Sequence, residues 1–78
     1  MTKSNFIEDY IMATMKVIEL MEDSGKSWED AVQQAVKRAS KSVDNIRSVW
    51  VKEQSCVIDG NDIASYRVTL KLTFEVKD

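Results

Sequence analysis

One amphipathic helix limits the folds open to this chain, because the rest of the regular pattern is β-strand. Ser27 is placed to cap the helix, since its hydroxyl can accept a hydrogen bond from a first-turn amide. Glu29 and Asp30 then put negative charge at the positive end of the helix dipole. The apolar residues recur at the spacing of one buried stripe: Trp28, Ala31, Val32, Ala35, Val36 and Ala39. Such a stripe needs a partner surface, and only strands are available to supply it.

Three segments carry strand patterns. Residues 14–21 predict a first strand, which a turn containing Gly25 connects to the helix. Residues 46–58 are rich in β-branched side chains and predict a second strand, followed by a turn at residues 59–62. Residues 66–76 alternate apolar and polar side chains and predict a third strand. The chain is therefore predicted to be α+β, with the order β-α-β-β and a hairpin between strands two and three.

The third strand is predicted to be longer than the helix that covers it. Eleven alternating residues span roughly 37 Å, whereas a helix of about 14 residues spans roughly 21 Å. Part of the sheet must therefore meet another surface, and identical subunits are the simplest candidate. A chain of 78 residues forms one small domain that buries only about 60% of its unfolded surface. Self-association is thus also the expected source of additional stability.

Composition excludes several classes of function. Cys56 is the only cysteine and the chain has no histidine, so neither an intrachain disulfide nor a Cys/His zinc site can form within one copy. Catalytic nucleophile–base sets and phosphate-binding glycine loops are not apparent, so we expect no enzyme. A net charge of −2 and a pI near 5.1 argue against nucleic acid as a partner. No apolar run suggests a membrane span or signal peptide, and we expect a cytoplasmic protein.

Residues 1–13 precede the predicted domain, which covers residues 14–78. Their helical character is weak and their capping signals are poor. One interpretation is an upstream extension without a fixed structure. The other is an intersubunit arm that packs on a neighbouring copy through its apolar residues, namely Phe6, Ile7, Tyr10 and Ile11.

Four segments in this order and spacing resemble the dodecins: KVIEL, SWEDA, RASKSVDNIR and YRVTLKLTFEV. The resemblance covers residues 15–76. It implies a three-stranded antiparallel sheet wrapped around one helix, and twelve such protomers in a hollow, cubic-symmetric shell. It also implies a binding or storage protein for flavins, such as FMN or riboflavin, held as stacked pairs between subunits.

The resemblance also indicates three flavin-site positions, and this chain departs from the family pattern at each. Ser48 stands where flavin-binding dodecins carry a stacking tryptophan. Arg67 replaces a glutamine that contacts the flavin, and Ser55 replaces an arginine near the phosphate. Because serine has no π-face, flavin binding in the usual geometry is expected to be weak or lost.

Trp50 lies two residues beyond Ser48 and, by strand periodicity, on the same face of the sheet. It can supply a displaced platform for a small planar anion, with Arg67 contributing the cation, or it can pack at a subunit contact. Arg67 can equally be a solvated charge on the polar face of the third strand, or a salt-bridge partner across a symmetry axis. Acidic residues around the strand–helix loop leave a divalent cation open as a ligand: Glu22, Asp23, Glu29 and Asp30. Two hypotheses follow, a binding shell with an altered pocket, and a structural or ion-binding shell that has lost flavin.

Overall fold

A computed structural model describes residues 13–77 and gives the element order that the sequence predicts. The elements are β1 Met15–Ser24, α1 Trp28–Ala39, β2 Ile46–Asp59 and β3 Asp62–Glu75. β3 is the central strand and pairs antiparallel with both β1 and β2. The predicted α+β order and the three-stranded antiparallel sheet are therefore confirmed. The strands are longer than predicted, because β1 continues past Met21 and the β2–β3 hairpin is paired up to a turn at Gly60.

The helix begins and ends through local hydrogen bonds. Ser27 has an extended backbone, and its side-chain oxygen accepts a hydrogen bond from the Asp30 amide at 3.0 Å. Ser24 Oγ donates to the Asp30 carboxylate at 2.6 Å, which ties the end of β1 to the first turn. At the other end, the helix ends at Ala39, and the Ser40 amide donates to the Val36 carbonyl at 2.9 Å. Six residues after Ala39, Asn45 adopts a left-handed φ of 64°, just before β2 begins. The predicted cap at Ser27 is present.

The core is the contact between small residues of α1 and branched residues of β3. Ala31 and Ala35 lie against Val68, Leu70 and Leu72, and all five are essentially inaccessible to solvent. Alanine lets the helix approach the sheet closely, so the longer β3 side chains fill the space between them. Partly buried side chains surround this centre: Ile18, Leu20, Trp28, Val32, Val36, Ala39, Ile46, Val49, Val51 and Phe74.

The helix covers only part of one sheet face. β2 and β3 have 14 residues each and α1 has 12, which correspond to roughly 48 Å of strand and roughly 18 Å of helix. The radius of gyration is 16.0 Å, against about 11–12 Å for a compact domain of this length. The predicted mismatch between sheet and helix is therefore present, and it leaves an extended protomer.

Residues 1–12 lie outside the described residues, so the intersubunit arm formed by Phe6, Ile7, Tyr10 and Ile11 stays a prediction. Within residues 13–77, no helix is both long and apolar enough to cross a membrane.

Removing part of a core side chain should weaken the whole domain. We expect Leu72→Ala to lower the free energy of unfolding by about 2–5 kcal/mol, because Leu72 is fully buried and the cavity cannot collapse completely. Val17→Ala is the matched control, since Val17 is 55% exposed on the opposite face and its truncation should cost less than about 0.5 kcal/mol. Urea denaturation of both variants measures the difference. Equal losses would contradict the assignment of the core.

Candidate functional site

The four predicted ligand residues all lie on the sheet face that points away from α1, here called the outer face. Ser48 is opposite Thr73, Trp50 is opposite Lys71, and Ser55 is opposite Arg67. The alternate β3 residues, Val68, Leu70 and Leu72, face the helix. The outer face is therefore open to solvent, to ligands and to other copies of the chain.

A β-bulge decides that Ser55 belongs to this face. Regular alternation from Trp50 would place Ser55 with the helix-facing residues, because the two positions differ by an odd number. The register shifts between Val51 and Glu53, so Lys52 is the extra residue. Beyond this bulge the odd-numbered residues of β2 point outward. Sequence periodicity alone does not show this.

Sharing a face does not make the four residues one pocket. The pair Ser55–Arg67 lies four β3 residues away from the pair Trp50–Lys71, which corresponds to about 14 Å along the strand. The predicted cooperation of Arg67 with Trp50 on one ligand is therefore not available within a single protomer, unless the ligand is long.

Trp50 is the most accessible aromatic platform among the described residues. Its residue surface is 62% exposed. Lys71 Nζ lies 5.3 Å from the centroid of the indole ring, within the range of a cation–π contact. Glu19 is paired with Lys71 on the other side, and its carboxylate lies 3.5 Å from Lys52 Nζ. The platform thus has two lysines and one carboxylate beside it, so it combines a flat apolar surface with a positive balance of charge.

Arg67 is held by an ion pair. Its Nε lies 2.7 Å from Asp23 Oδ1 and its Nη2 lies 3.0 Å from Asp23 Oδ2, a two-pronged contact across β3 and β1. The hydrogen bond from Arg67 and its positive charge hold the pKa of Asp23 below its ordinary value. Arg67 thus forms its salt bridge within the protomer, whereas the sequence predicts such a partner across a symmetry axis. Its partner Asp23 was not foreseen from the sequence.

Ser48 offers hydrogen bonding but no stacking surface. Its hydroxyl is hydrogen-bonded to the Thr73 hydroxyl across the strands. Ser55 is exposed, and its backbone carbonyl accepts a 3.0 Å hydrogen bond from the indole N–H of Trp28. These two positions shape the outer face, and their side chains carry no charge.

Three of the four acidic residues near the strand–helix loop are engaged in other contacts. Glu22 lies 3.7 Å from Arg38 Nε, Asp23 binds Arg67, and Asp30 accepts from Ser24. Within residues 13–77 of one copy, no three acidic or cysteine side chains are grouped so that they could hold a metal ion. A divalent cation would therefore need oxygen ligands from more than one copy, from backbone carbonyls or from water.

Comparison with known proteins gives a consistent result. The sequence pattern that defines the dodecin family matches residues 14–77. The curated calcium dodecin of Mycobacterium tuberculosis is 39% identical over 66 residues, which are 85% of this chain and 93% of that protein.

Solved structures agree with the sequence match. A dodecin from Streptomyces coelicolor superposes with a TM-score of 0.82 at 28% identity, over 86% of this chain and 96% of its own. The crystal structure of the calcium dodecin from Mycobacterium tuberculosis, described as calcium chelating with a novel calcium-binding site, gives a TM-score of 0.74 at 38% identity. That match covers 83% of this chain and 93% of the other.

The Asp23–Arg67 pair should make stability depend on pH in acid. The pKa of Asp23 is lowered in the folded protein from its ordinary 3.8, so the ionised form is favoured by folding. Its contribution is complete above about pH 4 and disappears as the pH falls through the folded-state pKa. We expect Asp23→Asn to unfold at a lower urea concentration than the wild type at pH 7. As the pH falls below about 4, the free energy of unfolding of this variant should decrease less steeply than that of the wild type.

Glu53→Gln is the control for this experiment, because it removes an exposed carboxylate of the same face that has no ion pair among the described residues. Its acid dependence should follow the wild type. Asp30 and Glu75 also have lowered pKa values, so part of the acid dependence should persist in Asp23→Asn. Identical pH profiles for Asp23→Asn and the wild type would contradict a stabilising role for the pair.

Proposed function

The chain belongs to the dodecin family, and on that basis we propose that it is a self-associating binding protein for a small planar anion. The observation that carries the proposal is Trp50, an exposed aromatic surface on the outer face with Lys71 against its ring. A planar ligand can stack on the indole, and the neighbouring lysines can neutralise its negative charge. The proposal is for a cytoplasmic binding or storage protein, without catalytic activity.

The family's usual flavin geometry is not supported by the residues present. A tryptophan at position 48 would give the stacking contact, but Ser48 gives only a hydroxyl that is hydrogen-bonded to Thr73. The lost stacking is worth about 0.5–1.5 kcal/mol in addition to the loss of buried aromatic area. Arg67 cannot compensate without giving up its ion pair with Asp23. We therefore propose that flavin binds weakly in this protein, and at Trp50 instead of at position 48.

A complete ligand site requires more than one copy. Trp50 alone gives an open platform, and the Arg67 pair lies too far along the sheet to close it. Val17 and Met21 add exposed apolar surface on the same face, at 55% and 61%. Burying these side chains together with Trp50 against another copy would enclose a ligand between subunits. This arrangement agrees with a hollow, twelve-subunit assembly.

A divalent cation is a second candidate ligand, and similarity to the calcium dodecin of Mycobacterium tuberculosis is the observation that favours it. Since the described residues of one copy hold no group of metal ligands, we place such an ion between copies. Calorimetric titration of the metal-free assembly with CaCl₂ tests this candidate, with MgCl₂ as the comparison. The absence of a calcium-specific heat would argue against it.

Flavin mononucleotide and riboflavin distinguish a charged site from a purely apolar one, because they share a ring system and differ in the phosphate. We expect FMN to bind about fivefold more tightly than riboflavin, since an exposed charge contact contributes about 1 kcal/mol. Lys71→Met should remove this preference, and Trp50→Ala should weaken both ligands. Ligand fluorescence and native mass spectrometry measure binding and assembly together. Equal affinities of wild type and Trp50→Ala would exclude Trp50 as the platform.

Restoring the aromatic residue at position 48 should restore flavin binding. We expect Ser48→Trp to bind FMN at least about tenfold more tightly than the wild type, because tenfold corresponds to about 1.4 kcal/mol and ring stacking contributes a comparable amount. Val57→Trp is the matched control, since Val57 lies opposite Ser65 on the outer face, six β3 residues from Lys71, and is none of the predicted ligand positions. An equal gain in both variants would show only non-specific stacking.

A further inference from the structure

We propose that the platform at Trp50 selects a planar ligand with a single negative charge, and that Glu19 is the residue that sets this limit. The inference rests on the proposed function, because it names the class of ligand that the same surface takes. Glu19 neutralises Lys52, so that only the charge of Lys71 is available to a ligand at the ring.

Strand register places Glu19, Lys71 and Trp50 in one row across the outer face. Glu19 of β1 is opposite Lys71 of β3, and Lys71 is opposite Trp50 of β2. Residues directly opposite each other in antiparallel strands have Cβ atoms about 4.5–5.5 Å apart. The backbone therefore fixes the carboxylate on one side of Lys71 and the indole on the other, however the long side chains bend.

The β-bulge brings Lys52 to the same row. The register shift between Val51 and Glu53 leaves Lys52 without a partner of its own on β3. Its side chain crosses β3 on the outer face, and its Nζ lies 3.5 Å from Glu19 Oε2. Two lysines therefore share the single carboxylate of this row.

The charges of the two lysines are used differently. Lys52 and Glu19 form an exposed ion pair that carries no net charge. Lys71 lies over the Trp50 ring and forms no ion pair with any residue in the range 13–77. The ring attracts this cation without neutralising it. A second negative charge on a ligand gains little, because it must displace the Glu19 carboxylate from Lys52 while that carboxylate stays in the same row.

Glu53 is the other carboxylate near Lys52 on this face. It lies opposite Thr69, beyond the bulge from Trp50, and it is exposed. Among residues 13–77 it has no ion-pair partner. Removing Glu53 changes the net charge as much as removing Glu19 does, but it frees no lysine. The comparison therefore separates a specific ion pair from a general negative field.

Three flavins with the same ring and different side-chain charges test this limit on the intact full-length protein at pH 8. Riboflavin has an uncharged side chain, and a flavin with one carboxymethyl group at N10 carries a single negative charge. FMN carries nearly two, because the second pKa of a phosphate monoester is about 6. We expect the wild type to bind FMN and the carboxymethyl flavin within about twofold of each other, and both about fivefold more tightly than riboflavin, as one exposed charge contact gives.

Glu19→Gln should release Lys52 for the ligand. We expect this variant to bind FMN about fivefold more tightly than the wild type does, whereas the affinities for the carboxymethyl flavin and riboflavin should change by less than about twofold. Glu53→Gln is the matched control and should leave all three affinities unchanged. Adding Lys52→Gln to Glu19→Gln should abolish the gain for FMN, because Glu19 acts through Lys52.

Ligand fluorescence gives the three affinities, and circular dichroism with native mass spectrometry checks folding and assembly. An equal gain for FMN in Glu53→Gln, or a gain that persists without Lys52, would overturn the inference in favour of a general field. If Glu19→Gln leaves FMN binding unchanged while Trp50→Ala weakens all three flavins, the inference is wrong and the proposed function stands. If Trp50→Ala changes none of the three affinities, the proposed function fails and the inference fails with it.

Discussion

The contact of two alanines with three branched residues organises this protomer. Ala31 and Ala35 let α1 approach β3 closely enough to bury Val68, Leu70 and Leu72 completely. Because β3 is the central strand, this contact also fixes which of its residues point away from the helix. The position of every outer-face residue follows, including Thr73 beside Ser48, Lys71 beside Trp50 and the distant Arg67. The geometry of the proposed binding surface is thus a consequence of the core.

The same contact leaves the protomer incomplete. A helix of 12 residues packs on the end of the sheet that includes Ile46 and Phe74, so the hairpin end of the two 14-residue strands and the outer face of the sheet remain open. Among residues 13–77, the buried core consists of five apolar side chains, a small number for a domain that has no intrachain disulfide. Burial at subunit contacts is the available source of further stability, since hydrophobic stabilisation increases with the apolar area removed from water. Burial of these exposed side chains in an assembly would therefore stabilise the folded protomer as well as the contact between copies.

Regular periodicity predicted the element order, the helix cap and the helix-facing residues, because these depend on spacing within one element. The register between strands was harder to predict from the sequence. If residues pair regularly away from the turn pair Asp59–Asp62, Lys71 lies opposite Trp50, so this pairing was predictable. Regular pairing gives the correct partner for Trp50 only because the extra residue Lys52 in β2 offsets the extra residue Ala64 in β3. Between these two bulges, regular pairing gives the wrong partners, so it does not predict the pairing of Ser55 with Arg67. The Asp23–Arg67 ion pair depends on this local register.

Ligand binding and assembly should reinforce each other in such a design. If the ligand lies between outer faces, it binds the assembled form and not the separated protomer, so it stabilises assembly by the free energy of binding. An ion pair such as Asp23–Arg67 contributes differently, because its charges are already matched within one copy and attract a ligand or neighbour only weakly. Lys71 is different: its charge lies over an exposed ring that a second copy or a ligand can cover. In the proposed function, Ser48 lacks the stacking surface and Trp50 with Lys71 supplies it, so the proposed site lies two residues along β2 from position 48 and keeps its link to association.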